Sequence, residues 1–147
     1  MLSIIEKVIF LQDVAIFEHV STEGLSQIAN ITEEVGVEAN GVIYKEGDFS
    51  DSMYLLIGGK VKLHRGESIV LIASLNDAFG AWSLFNDEPR LVSATALEKS
   101  DLLKIQKEDM IDILADNVRI TEGILKAMAK QLQNIVSKVS GKPENSN

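Results

Sequence analysis

Along the first thirty residues the apolar positions recur at helical spacing. Ile4, Ile5, Val8 and Leu11 make a stripe with Glu6 and Lys7 turned away from it, which predicts a short amphipathic helix over residues 3–11. A second helix is expected from Ser21, a residue whose hydroxyl suits an N-cap, with Val20 and Leu25 placed as a hydrophobic staple and Leu25, Ile28 and Ala29 on the buried side. Between residues 31 and 106 the pattern changes to short β-type runs separated by turn residues. They are Ile31 to Val37, Val42 to Lys45, Ser52 to Ile57, Lys60 to Arg65, Ile69 to Leu75, Arg90 to Leu97 and Leu102 to Gln106. Gly58-Gly59 reads as a tight hairpin with positive φ at both corners, and Gly66-Glu67-Ser68 as the next turn. This grammar predicts a barrel or a jelly roll.

Past residue 106 the helical period returns, over Glu108 to Ala115 and then over Val118 to Val139. In the longer stretch Val118, Thr121, Leu125, Met128, Leu132, Ile135 and Val139 alternate spacings of three and four, a seam of about three heptads. Such a seam either pairs with a copy of itself or lies against the roll of its own subunit. The final residues hold only glycine, proline and polar side chains, so 140–147 is expected to be a disordered tail.

Composition narrows the functional classes. A chain of 147 residues with 46% hydrophobic content suits one domain with one core. The formal charge of −8 sets up a field that repels phosphate backbones and acidic membrane surfaces, so neither nucleic acid nor membrane is an expected partner. Absence of cysteine excludes disulfides and thiol catalysis and fits a reducing cytoplasm. The apolar opening is interrupted by Glu6 and Lys7 and lacks a small-residue cleavage site, so it reads as mature structure rather than a secretion signal. No run reaches the roughly 18 apolar residues of a membrane helix. The two histidines, His19 and His64, have no metal-ligand spacing, and neither Walker-type nor Rossmann glycines nor a nucleophile elbow occur. An enzyme is not expected.

Two segments carry a resemblance. One is Glu46-Gly47-Asp48 followed by Met53 to Ile57 with Gly59 and Val61, and the other is the run from Phe79 to Ala96. Together they resemble the cyclic-nucleotide-binding domain family, which includes bacterial catabolite activator proteins, regulatory subunits of cyclic-AMP-dependent kinase and gating domains of channels. The resemblance spans about residues 14 to 139. It implies a mainly β, antiparallel jelly roll (a double-stranded β-helix) over 31–106, flanked by N-terminal helices within 1–30 and by two C-terminal helices within 107–139. In that family a phosphate-binding cassette opens Phe-Gly-Glu-Leu-Ala and closes Pro-Arg-Ala-Ala-Thr. Phe79, Gly80, Pro89 and Arg90 match it, and the resemblance assigns the phosphate to Arg90 and to the N–H groups of the short helix beginning near Gly80. The ligand-binding set it implies is Gly80, Ala81, Trp82, Ser83, Arg90, Leu91 and Val92.

The cassette departs from pattern at several places. Ala81 stands where the family has its ribose-binding glutamate, and a methyl group accepts no hydrogen bond from a 2′-hydroxyl. Losing a charged hydrogen bond weakens binding by about one to two orders of magnitude. Trp82 and Ser83 replace Leu and Ala, and Leu91 and Val92 replace the small pair after the arginine.

The same residues have plainer readings. Strand alternation puts Arg90 on the side of Val92, Ala94 and Ala96, where a cation meets an anionic ligand, is neutralised by Asp87 and Glu88 folding back, or sits at a strand end in water. Trp82 stacks on a purine, plugs the pocket or simply packs in the core. Ser83 donates to a phosphate oxygen or is solvated. The expectation is a cytoplasmic regulatory module that binds cyclic AMP, cyclic GMP or a related small anion weakly, relays binding through the C-terminal helices and forms a homodimer, with no resident cofactor. Its rival is a non-binding dimerisation domain of the same fold. With no helix-turn-helix in sight, the output is expected in a partner or in another part of a longer protein.

Overall fold

A computed structural model describes residues 1–81 and 85–139. The chain opens with helix α1 (Ile4–Gln12), a 3-10 turn (Ala15–Phe17) and helix α2 (Thr22–Asn30). Eight strands follow among the described residues: β1 (Thr32–Val37), β2 (Val42–Tyr44), β3 (Ser52–Gly58), β4 (Val61–Arg65), β5 (Ser68–Ala73), β6 (Ala78–Phe79), β7 (Ser93–Ala96) and β8 (Ser100–Gln106). Helices α3 (Lys107–Asp116) and α4 (Val118–Val139) close the described chain.

Both N-terminal helices start on serine caps. Ser3 and Glu6 form a reciprocal capping box, and Ser21 Oγ accepts from Gly24 N at 3.1 Å, with Val20 and Leu25 buried as the staple requires. The stripe on α1 is narrower than its spacing suggests. Val8 and Leu11 are buried but Ile4 and Ile5 are exposed, because the helix is rolled so that Lys7 Nζ reaches the Thr32 carbonyl at 3.3 Å.

The strands form two antiparallel sheets, ordered β1-β8-β3-β6 and β2-β7-β4-β5, which face each other as a jelly roll. Alternation along β3 explains its continuous apolar run. Met53 and Leu55 face the helices, where they pack with Phe17, Ile28, Met110 and Ile124, while Tyr54 and Leu56 face the roll interior with Val61, Phe79 and Ala94.

Gly58-Gly59 is not the hairpin its sequence suggests. The strands it joins lie in opposite sheets, and only Gly59 has positive φ, at +93°. The pair makes a corner, and Gly59 is needed there because a Cβ would lie 2.6 Å from the Lys99 carbonyl oxygen. The turn at Gly66-Glu67 does make a hairpin, with Arg65 opposite Ser68. The run expected from Arg90 is extended strand only from Ser93. Its first residue is captured elsewhere: Arg90 N donates to Asp48 O and Gly47 N donates to Arg90 O, both at 2.8 Å, so its backbone bonds to the turn after β2 instead of to a sheet ladder. The expected disordered tail lies outside the described residues.

Candidate functional site

The side of the chain on which Arg90 lies follows the alternation read from sequence. Arg90, Ala94 and Ala96 are buried, Val92 is half-buried and Leu91 is exposed. Arg90 itself is 6% exposed, which removes the reading of a strand end in water. Its Nη2 donates to the Ser52 carbonyl at 2.6 Å and its Nη1 to the Gly80 carbonyl at 3.2 Å. The guanidinium carbon lies 4.0 Å from the centroid of the Tyr44 ring, which belongs to an aromatic group with Tyr54 and Phe79.

None of these partners carries a negative charge. Among the described residues no ion pair involves Arg90, and its buried Nε has no hydrogen-bond partner. Asp87 does not fold back to neutralise it. That carboxylate is exposed and pairs with Lys107 at 2.8 Å, which holds its carboxyl below the usual carboxylate range, and Glu88 is exposed at the rim. Removing a guanidinium from water without a counter-charge is costly, and carbonyl dipoles with one aromatic face offset only part of that cost.

Arg90 lines a cavity of about 430 Å³, a volume within the range of small-ligand sites. Gly80, Ala81, Leu91 and Val92 line the same cavity, so five of the seven expected ligand-binding residues converge on it. Trp82 and Ser83 lie outside the described residues. Gly80 has φ of +75°, and a Cβ there would lie 2.7 Å from Arg90 Nη1, so a side chain at this point would displace the guanidinium. Ala81 is half-buried and packs toward the helix-side core.

Several residues that build the site carry no signal in the sequence. Tyr44 and Ser52 come from β2 and β3, and nothing in their local pattern points to an arginine thirty-eight or more positions later. Glu46-Gly47-Asp48 is visible as a motif. Its structural task is to hold the Arg90 backbone through the two bonds given above.

Burial pushes the Tyr44 hydroxyl from 10.0 up to about 12, with the neighbouring Arg90 charge working against the rise. A phenol that keeps its proton in the folded state contributes stability that is full below pH 10 and is lost as pH rises through about 12. Chemical denaturation between pH 8 and pH 12 should therefore show a loss of roughly 2 kcal/mol attributable to this group. Tyr44→Phe should flatten that slope, and an unchanged slope in the variant would assign it elsewhere.

A double-sheeted roll with helices at both ends and a cation on its inner wall is the architecture of the cyclic-nucleotide-binding class. The chain belongs to the cyclic nucleotide-binding domain family, whose family model matches residues 34–117. It is 27% identical over 123 residues to a CRP-like cAMP-activated global transcriptional regulator of Mycobacterium tuberculosis, covering 80% of this chain and 55% of that protein. It is 31% identical over 112 residues to a cAMP/cGMP-dependent 3′,5′-cAMP/cGMP phosphodiesterase B of Dictyostelium discoideum, covering 70% of this chain and 10% of that one. Among solved structures, the N-terminal domain of a transcriptional regulator from Streptomyces coelicolor superposes with a TM-score of 0.78 at 26% identity, covering 86% of this chain and 94% of the other. The chain thus spans about half the length of the first of these regulators. The family and the jelly roll agree with the expectation from sequence. Among the described residues no helix is long and apolar enough to cross a membrane.

Proposed function

We propose that this chain is a non-enzymatic regulatory module, cytoplasmic and without a nucleic-acid partner of its own, that receives a small anionic ligand of the cyclic-nucleotide kind. The observation that carries the reading is the buried Arg90, held by neutral acceptors beside a cavity and without a counter-ion among the described residues. Gly80, Ala81, Leu91 and Val92 would form the walls around the ligand, with Trp82 and Ser83 completing the cassette. The mycobacterial relative's activation by cAMP points the same way. The relay would run into α3, which follows β8 without an intervening loop, and on to α4, tied to α3 by a hydrogen bond from Thr121 Oγ1 to the Leu114 carbonyl at 2.8 Å.

Pairing of two copies through α4 belongs to the same proposal. Ile120, Gly123, Ile124 and Ala127 are buried against the chain's own core, whereas Leu125, Leu132 and Val139 are 59%, 62% and 83% exposed. These three seam positions face away from their own roll, whereas Thr121 and Met128 of the same seam are half-buried, Thr121 bonded to the Leu114 carbonyl and Met128 packed against the chain's own core.

Calorimetric titration with cyclic AMP and cyclic GMP tests the ligand reading, together with melting temperature at millimolar nucleotide. A ligand that binds only the native state raises the melting temperature, and Arg90→Gln is expected to remove that rise. If neither nucleotide shifts melting of the parent chain, the cyclic-nucleotide reading fails. The alternative, a dimerisation domain that has lost its ligand, is favoured by Ala81, which offers the cavity no acceptor for a ribose hydroxyl.

A further inference from the structure

Lys107 is the first residue of α3 and the point at which the roll hands over to the C-terminal helices. Its side chain is only 16% exposed and lies back across the roll instead of extending into water. Its Nζ donates to Asp87 Oδ1 at 2.8 Å and to the Asn86 carbonyl at 3.2 Å. Its backbone N–H donates to the Asp51 carbonyl at 2.8 Å, one residue before the Ser52 carbonyl that accepts from Arg90. Asn86 and Glu88, on either side of Asp87, line the Arg90 cavity.

The direction of this side chain is informative. Lys107 shares a surface hollow with Asp51, Glu108 and Asp109, three carboxylates on its own helix or at the residue its backbone already bonds. Its ammonium is instead bonded to the loop that ends in Arg90. One flexible cation thereby fastens a wall of the cavity to the start of α3, across twenty residues of sequence.

We propose that Lys107 is a positioning residue that couples the cavity loop 85–90 to α3, so that the two share one conformational equilibrium. The proposal rests on the relay reading given above, and it assigns that relay a specific side chain. A ligand that shifts the loop toward Arg90 alters the Asn86 and Asp87 contacts, and the lysine carries the change to the first turn of α3. Coupling of this kind is a free energy shared by two sites, and a double-mutant cycle measures it directly.

The experiment is amide hydrogen exchange on the whole chain in four forms: parent, Arg90→Gln, Lys107→Met and the double variant. Arg90→Gln is expected to speed exchange in α3 by roughly two- to fivefold when Lys107 is present, the range set by the worth of an ion pair whose carboxylate is exposed to water. With Lys107→Met in place the effect of Arg90→Gln on α3 should vanish, and exchange in 85–90 should rise. An equal effect of Arg90→Gln in both backgrounds overturns the proposal. Should Arg90→Gln fail to fold, Asp87→Asn replaces it: α3 must then exchange faster than in the parent when Lys107 is intact and no faster when it is not. The cyclic nucleotide melting series separates the two ideas. An intact cycle with no nucleotide response sinks only the ligand reading, whereas a nucleotide response with a null cycle sinks only the assignment to Lys107.

Discussion

If two copies pair through α4 as proposed, a chain carrying Leu125→Glu and Leu132→Glu together should sediment as a monomer at concentrations where the parent chain is expected to sediment as a dimer. Each leucine buried in a helix seam is worth about 1.5–3 kcal/mol, and the two-fold axis of a homodimer counts every substitution twice. Loss of a hundredfold in affinity needs only roughly 2.7 kcal/mol, so the double variant is expected to exceed it comfortably. The fold should survive, because α4 holds its own subunit with the opposite face. Ile120, Ile124 and Ala127 are buried, whereas Leu125 and Leu132 are exposed and make no part of that core. The melting temperature of the variant, measured at a concentration where the parent is already monomeric, should match the parent closely. Sedimentation velocity over a concentration series decides the matter. If the parent chain stays monomeric to high micromolar concentration, the seam serves some other surface and pairing through α4 is wrong.

The span of α4 was legible because helical periodicity is a local property and every residue that sets it lies within one element. Capping at Ser21 and the β-type run that became β3 were legible for the same reason. Gly58-Gly59 misled because the choice between a hairpin and a corner is made by the sheets on either side, and a glycine pair serves both. Arg90 is an intermediate case. Alternation gave its side correctly while giving its strand wrongly, since its backbone partners are Gly47 and Asp48 from a turn more than forty residues earlier. Of the three readings left open for this cation, the strand end in water and neutralisation by Asp87 are removed only by burial and by the position of Asp87, both of which are tertiary facts. Lys107 left no sequence signal at all. A lysine at the start of a helix is unexceptional in a linear reading, and its carboxylate partner stands nearer in sequence to Arg90.

Ala81→Glu is expected to raise the affinity for cyclic AMP by roughly one to two orders of magnitude, the worth of one charged hydrogen bond. Ala81 and Gly80 are consecutive on the wall of the cavity that Arg90 also lines, and although the Ala81 methyl packs toward the helix-side core, a longer carboxylate side chain at 81 is expected to turn into that cavity. Two effects then compete. The introduced carboxylate can accept from a 2′-hydroxyl, which strengthens nucleotide binding, or it can pair with Arg90 itself, which stabilises the empty protein and blocks the cation. Melting of the variant without nucleotide separates them, since self-pairing raises the melting temperature before any ligand is added. Titration with 2′-deoxy cyclic AMP supplies the chemical control. If the gain comes from the ribose contact, the deoxy analogue binds parent and variant alike, and only the ribose nucleotide distinguishes them. A well-folded variant with no gain would mean that more than one methyl group separates this cavity from a cyclic-nucleotide receptor, and the dimerisation-domain reading would then be preferred.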